Sequence, residues 1–186
     1  MKPAHELILG GARSGKSRLA ETRAGDWLAG APGRSAVLVA TAMAGDDEMT
    51  ARIQRHQQDR AARVPTLATV EAPTALAAAL HRYTAPDRLL VVDCLTLWIT
   101  QCLMPPGSTG LDHDAWQREE QALLDALDDL PSPVVLVSNE IGLGVLPMSR
   151  EARTCVDALG RLHQQVAARC AHVTLMVAGC PMVVKG

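Results

Sequence analysis

The sequence predicts an α/β fold, a mostly parallel central sheet with helices on both faces, formed as a single domain over residues 1–186. Three observations carry that expectation. Short apolar runs alternate with longer segments of helical periodicity along the whole chain. The runs lack polar alternation, which is the pattern of strands covered on both faces. The first run opens directly onto a glycine-rich turn and then a helix, fixing the order strand, loop, helix. A length of 186 residues suits one domain of roughly 100–200 residues, and neither a linker nor an internal repeat interrupts it.

Leu7-Ile8-Leu9 is the first strand. Lys16 to Leu28 reads as a helix with Leu19, Ala20, Trp27 and Leu28 on one face, ended by Gly30 and the Ala-Pro-Gly at 31–33. Ala36 to Thr41 is the second strand. Asp46 or Asp47 caps a helix running to about Ala62, with Met49 and Ile53 spaced i, i+4. A short strand follows near Leu67–Val70, and Pro73 occupies the first turn of an Ala-rich helix ending near His81. Leu89 to Asp93 is the clearest buried strand, with a helix after it to about Cys102. Residues 105–114 form a loop. Asp114 to Leu130 is amphipathic, with Trp116, Leu123, Leu127 and Leu130 near one face. Val134 to Val137 is a strand ending in Ser138-Asn139-Glu140; a long helix covers Ser149 to Ala171, and Val173 to Val177 closes the pattern.

Composition excludes several classes of function. With 48% hydrophobic and 20% charged residues the chain is not disordered. A net charge of -2 gives no electrostatic drive toward nucleic acid or anionic membrane. Three Trp, one Tyr and no Phe leave an aliphatic core and no platform for stacking bases. The five Cys are scattered and odd in number, with no C-x-x-C pair, which speaks against a disulfide framework or a structural zinc site. No apolar run approaches the ~18 residues of a transmembrane helix, and the opening Met1 to Gly11 lacks the form of a signal peptide. The expected compartment is the cytoplasm.

Gly10-Gly11-Ala12-Arg13-Ser14-Gly15-Lys16-Ser17 matches G-x-x-x-x-G-K-S in full, between a buried strand and a helix. Gly10 and Gly15 let the backbone curl so that its N–H groups converge on phosphate oxygens. The helix start adds the positive end of its dipole. Lys16 supplies charge to the β- and γ-phosphates, and Ser17 offers a hydroxyl to Mg²⁺. These residues point to a P-loop NTPase or kinase without saying which, and the expected fold is that of a RecA-like P-loop NTPase. Asp93, at the end of an apolar run, reads in two ways: as the Walker B carboxylate that holds Mg²⁺ through water, or as a cap on the next helix.

A second stretch, Asp46 to Arg60, places Arg52, His56 and Arg60 at i, i+4, i+8 on one helix side, with Asp59 three residues from His56. Two flanking guanidiniums disfavour the imidazolium, and neutral imidazole is the nucleophilic form. The arginines suit a polyphosphate, and Asp59 suits the second ring nitrogen. The same pattern also fits a solvated, charge-rich face. Asn139, Glu140, Gly142, Gly144 and Pro147 read either as a ligand loop at a strand's C-terminal edge or as a glycine turn. His5, His81, His113 and His172 read as surface residues, His163 as packing, and the cysteines as core fillers.

G-G-A-R-S-G-K-S, then A-T-A with D-x-E-M-x-x-R-I-x-x-H-x-x-D-R, then D-C-L-T-L-W, then S-N-E-x-G-x-G-x-x-P resembles one family. It is the bifunctional adenosylcobinamide kinase / adenosylcobinamide-phosphate guanylyltransferase family of cobalamin biosynthesis, and the resemblance runs from Leu7 to about Lys185. It implies that adenosylcobinamide is phosphorylated with ATP or GTP, that GMP from GTP is taken onto His56, and that GMP passes to adenosylcobinamide phosphate to give adenosylcobinamide-GDP. It also implies nucleotide contacts from Ala40, Thr41, Ala42, Arg52, Asp59, Arg60, Glu71 and Asp93, and a homo-oligomer, a trimer. Two departures stand out: the stretch from Arg60 to Glu71 is longer than the family pattern and has no Trp, and His163 stands where Asn is usual. Without the family, two rivals stay open: a kinase-only enzyme acting on another small hydroxyl substrate, and a non-catalytic NTP-binding module.

Overall fold

The computed structural model describes residues 3–43, 47–145 and 147–186; the side chains of Glu48, Met49 and Arg52 are also outside the description. Asp46, one of the two expected caps, and Leu146 therefore lie outside it. In chain order the elements are β1 (Glu6–Gly10), α1 (Lys16–Ala29), β2 (Ser35–Ala40), α2 (Asp47–Arg63), β3 (Ala68–Glu71), α3 (Leu76–Tyr83), β4 (Arg88–Asp93), α4 (Leu95–Leu103), α5 (His113–Asp129), β5 (Val134–Asn139), α6 (Arg150–Arg169), β6 (His172–Val177) and β7 (Cys180–Lys185).

All seven strands join one sheet in the order β3-β2-β4-β5-β1-β6-β7. Every pairing is parallel except β6 with β7. Apolar residues of the inner strands alternate between two cores, as the two-residue side-chain period requires. Leu7, Leu90, Val92 and Leu136 enter one core with α3, α4, α5 and α6. Ile8, Val91, Val135 and Val137 enter the other with Ala20 and Ala24 of α1. The sheet is thus covered on both faces, and its parallel strands leave their C-terminal ends along one edge. This order and layering are consistent with a P-loop NTPase fold.

Several expectations need correction. Pro73 precedes α3 and is not in its first turn; the helix starts at Leu76 after the N-cap Ala75. Helix α5 starts one residue earlier than expected, because the Asp112 carboxylate accepts the Ala115 N–H at 2.8 Å. In α6, Ser149 is the cap and not part of the helix, with its hydroxyl accepting from Ala152 N. Strand β7 was not foreseen. Ala178 and Gly179 both take positive φ, 51° and 83°, and turn β6 back as a two-residue hairpin.

His5 is not a surface residue. It is 3% exposed, its Nδ1 accepts the Val134 N–H at 3.0 Å, and its Nε2 bonds the Leu127 carbonyl at 2.8 Å. Those partners lie more than a hundred residues away in sequence, so local pattern gives no sign of them. Cys180 is exposed, unlike the four buried cysteines. Among the described residues, no helix is long and apolar enough to cross a membrane.

Candidate active site

The glycine-rich turn between β1 and α1 is built by steric necessity. Gly10 has φ 153°, and a Cβ there would stand 2.6 Å from the Met176 carbonyl oxygen and 2.7 Å from Ser14 Oγ. Gly15 has φ 101° and caps α1 without a side chain, and the helix's first turn carries no acidic residue. The backbone N–H groups and dipole of α1 thus face the turn uncompensated by a carboxylate of its own first turn, the arrangement that attracts a phosphate. The hairpin tip braces the same turn, since Gly179 N donates to Ser14 O at 3.0 Å. That contact was not legible in the sequence.

Lys16 is buried, and its Nζ donates to Gly11 O at 2.6 Å and reaches Ser14 Oγ at 3.5 Å. The ammonium therefore lies across the turn it was expected to serve. Ser17 follows, half-buried in the first turn of α1, while Gly11, Ala12 and Arg13 are exposed on the outside of the loop. Arg13 adopts a left-handed conformation with φ 54°.

Asp93 ends β4, and the sheet register aligns it with Ala40 of β2, which in turn aligns with Glu71 of β3. The three expected positions Glu71, Ala40 and Asp93 thus form one row along the C-terminal edge. Thr41 locks two of these strand ends together. It is fully buried; its hydroxyl donates to Cys94 O at 2.7 Å and accepts from Cys94 N at 2.8 Å, and its own N–H donates to Asp93 O at 3.1 Å. Its carbonyl accepts from Gln101 Nε2 at 2.8 Å. Thr41 is therefore a buried clamp beneath Asp93, and half-buried Ala42 follows it at the edge. The Cys94 thiol is pushed up to about 11, first by burial and then by Asp93, while Lys16 acts the other way. Lys16 and Asp93 thus act on the same buried point.

Helix α2 behaves differently from its expected stripe. His56 is exposed, whereas Arg60 is buried against α1. Arg63 ion-pairs with Glu21 of α1, and Arg60 also acts on that carboxylate. Burial raises the Glu21 pKa, and Arg63 opposes the shift. Asp59 Oδ2 lies 3.4 Å from Arg63 Nη2, so its described partner is an arginine and not the His56 ring. The basic residues at the end of α2 anchor the helix to α1, and His56 projects from the part of the helix that precedes this anchor.

Sequence reasoning also missed a polar chain beside the turn. Glu140 N donates to Gly10 O at 3.0 Å, which places the end of β5 against the first glycine of the loop. Ser138 Oγ bonds Thr96 Oγ1 at 3.1 Å and His163 Nε2 at 2.7 Å, and Asn139 N donates to Thr96 Oγ1 at 2.8 Å. His163 Nδ1 lies 3.7 Å from Glu140 Oε2, and Glu140 Oε1 accepts from Gly142 N at 2.8 Å. His163 packs as expected but is also a hydrogen-bonding residue. The only sequence sign was Ser138-Asn139-Glu140 at a strand end; His163 joins it from another element.

The donor set suits a hard cation in a limited way. Ser17 and Asp93 offer one hydroxyl and one carboxylate, and among the described residues no group of three or more His, Cys, Asp or Glu could hold a metal ion. Few protein oxygens with room for phosphate and water is the pattern of a Mg²⁺ site completed by a nucleotide.

The sequence matches a family model described as cobinamide kinase / cobinamide phosphate guanyltransferase over residues 6–184. A bifunctional adenosylcobalamin biosynthesis protein CobP from Pseudomonas aeruginosa is 49% identical over 181 residues, 97% of this chain and 97% of that protein. A bifunctional adenosylcobalamin biosynthesis protein CobU from Escherichia coli is 37% identical over 188 residues, 96% of this chain and 98% of that protein. The protein of that name from Salmonella typhimurium is 38% identical over 187 residues, with 96% and 98% covered.

Proposed function

The chain belongs to the cobinamide kinase / cobinamide phosphate guanyltransferase family, and on that footing we propose that it is a bifunctional enzyme of cobalamin biosynthesis. It phosphorylates the hydroxyl of adenosylcobinamide with ATP or GTP. It then moves GMP from GTP, by way of His56, onto adenosylcobinamide phosphate to give adenosylcobinamide-GDP.

The observation that carries the reading is the phosphate loop from Gly10 to Ser17, built with the required backbone, in a chain covered almost end to end by such relatives. In the phosphorylation step, the loop N–H groups and Lys16 hold the β- and γ-phosphates and take up charge as the γ-phosphoryl moves. Ser17 and Asp93 would hold Mg²⁺, which would offset phosphate charge there. Gly11, Ala12, Arg13 and Ser14 complete the cradle; Ala40, Ala42, Glu71 and Asp93 form the neighbouring edge; Thr41 fixes that edge from below.

In the transfer step, the His56 imidazole attacks the α-phosphorus of GTP, pyrophosphate leaves, and GMP is held as a phosphoramidate until the acceptor phosphate displaces the imidazole. The exposure of His56 supports this role, since the ring must meet two substrates in turn. Arg52 and Arg60 are assigned to charge at the transferred group, with Asp59 beside them. Arg60 would act from its buried place on α2, through the field it adds near Glu21 of α1, whereas the sequence pattern implied a free stripe.

We place the enzyme in the cytoplasm as a homo-oligomer, a trimer. The exposed apolar residues Met182, Val183 and Val184 on β7 support a surface that another copy covers. The direct test is incubation with adenosylcobinamide, ATP and GTP. Both the phosphate ester and the GDP-linked product are expected. The ester alone would favour the kinase-only rival, and neither product would favour a binding module.

A further inference from the structure

The polar chain beside the phosphate loop leads from Thr96 through Ser138 and His163 to Glu140. Thr96 Oγ1 accepts the Asn139 N–H and bonds Ser138 Oγ. Ser138 Oγ in turn bonds His163 Nε2, so the ring's Nδ1 lies on the side of Glu140. Burial lowers the pKa of His163, with Glu140 opposing the shift. Glu140 has a neighbour on two sides: Oε1 accepts the Gly142 N–H at 2.8 Å, and the His163 ring faces Oε2 at 3.7 Å. Its side chain nevertheless keeps 22% of its surface open.

Strand order separates Glu140 from the other carboxylates of this edge. Glu140 follows β5, which pairs directly with β1, and it bonds Gly10 itself. Asp93 ends β4, one strand further away, and Glu71 ends β3 at the far border of the sheet. Glu6 sits at the opposite end of β1, held by Arg23. Among the described residues, Glu140 is the strand-end carboxylate closest in the sheet to the phosphate loop.

We propose that Glu140, positioned by His163, accepts the proton of the acceptor hydroxyl in the phosphorylation step; this rests on the kinase reading above. The hydroxyl O–H bond breaks and its proton passes to the Glu140 carboxylate. The oxygen forms its bond to the γ-phosphorus while the bond from γ-phosphorus to the bridging oxygen breaks. That electron pair leaves with the nucleoside diphosphate, and Glu140 returns its proton to water through its open side.

The test is steady-state phosphorylation of adenosylcobinamide by ATP, beside covalent labelling of the chain by α-labelled GTP. Glu140→Gln preserves shape and the acceptor for Gly142 N–H. It should lower kcat about 100-fold or more, with both KM values nearly unchanged and labelling intact. Glu140→Ala should recover part of its rate when formate is added. His163→Asn, whose amide stands where Nδ1 faces Glu140, should retain more of kcat than His163→Ala. His163→Ala should lower kcat while KM stays fixed. A Glu140→Gln enzyme with native kcat, or one that loses phosphorylation and labelling alike, overturns the inference. A native chain that phosphorylates no cobinamide overturns the kinase reading instead.

Discussion

Replacing Thr41 with Val tests the clamp that sets Asp93. Val has nearly the same shape, so no cavity opens, and the change isolates the hydroxyl. That hydroxyl makes two bonds to Cys94, at 2.7 Å to its carbonyl and 2.8 Å from its N–H, in a place with no solvent. The carbonyl also accepts from Trp98 N at 3.2 Å, so it keeps one partner and loses about 1 kcal/mol. The Cys94 N–H is left buried and unpaired, which costs about 1–3 kcal/mol. The sum is a loss of about 2–4 kcal/mol. In a chain of this size that lowers Tm by roughly 4–16 °C. Thr41→Ser keeps the hydroxyl and removes one methyl, at about 1 kcal/mol. Urea unfolding followed by circular dichroism measures both, provided the m-values agree. Because Asp93 lies next to the clamped peptide, nucleotide affinity in Mg²⁺ should weaken in the Val variant and survive in the Ser variant. A Val variant as stable as the native protein, or Ser and Val variants equally damaged, refutes the reasoning.

Two further outcomes follow from the same geometry. Lys16→Ala removes the buried cation that lies across the phosphate loop, and phosphorylation should fall at least about 100-fold; near-native turnover would remove Lys16 from the site. His163 has a folded-state pKa below its unfolded value, because burial disfavours the charged ring. Between those two values the unfolded chain binds the extra proton, so stability is full above the ordinary histidine pKa and declines as pH falls from there toward the lowered one. His163→Asn should remove this part of the acid sensitivity, seen as a flatter difference in urea midpoint between pH 7 and pH 5.5; an unchanged slope would contradict it.

What the sequence could reveal follows from the range of the interactions. The phosphate loop was legible because Gly10 and Gly15 are demanded by local backbone and by contact with the strand that follows them in space. The buried strands were legible because Val and Leu runs such as Leu89 to Val92 must be covered on both faces. The hairpin into β7 was not, since its turn uses Ala178 in a left-handed conformation where Asn or Gly is the usual sign. His5 and His163 were misjudged or underread for a shared reason: their hydrogen-bond partners belong to other elements, and a histidine's local spacing does not report them. The Arg52, His56 and Arg60 spacing was real as helix geometry, but spacing alone could not show that Arg60 turns into α1 while His56 faces outward.

The central claim is that His56 carries GMP, and covalent labelling tests it most directly. Intact protein is mixed with α-phosphate-labelled GTP and Mg²⁺, with His56→Ala beside it. The account predicts label on the native chain that survives base and is lost in acid, as a phosphoramidate should be, and none on the variant. Label of equal strength on the folded His56→Ala chain, or none on a native chain that binds GTP, would contradict it.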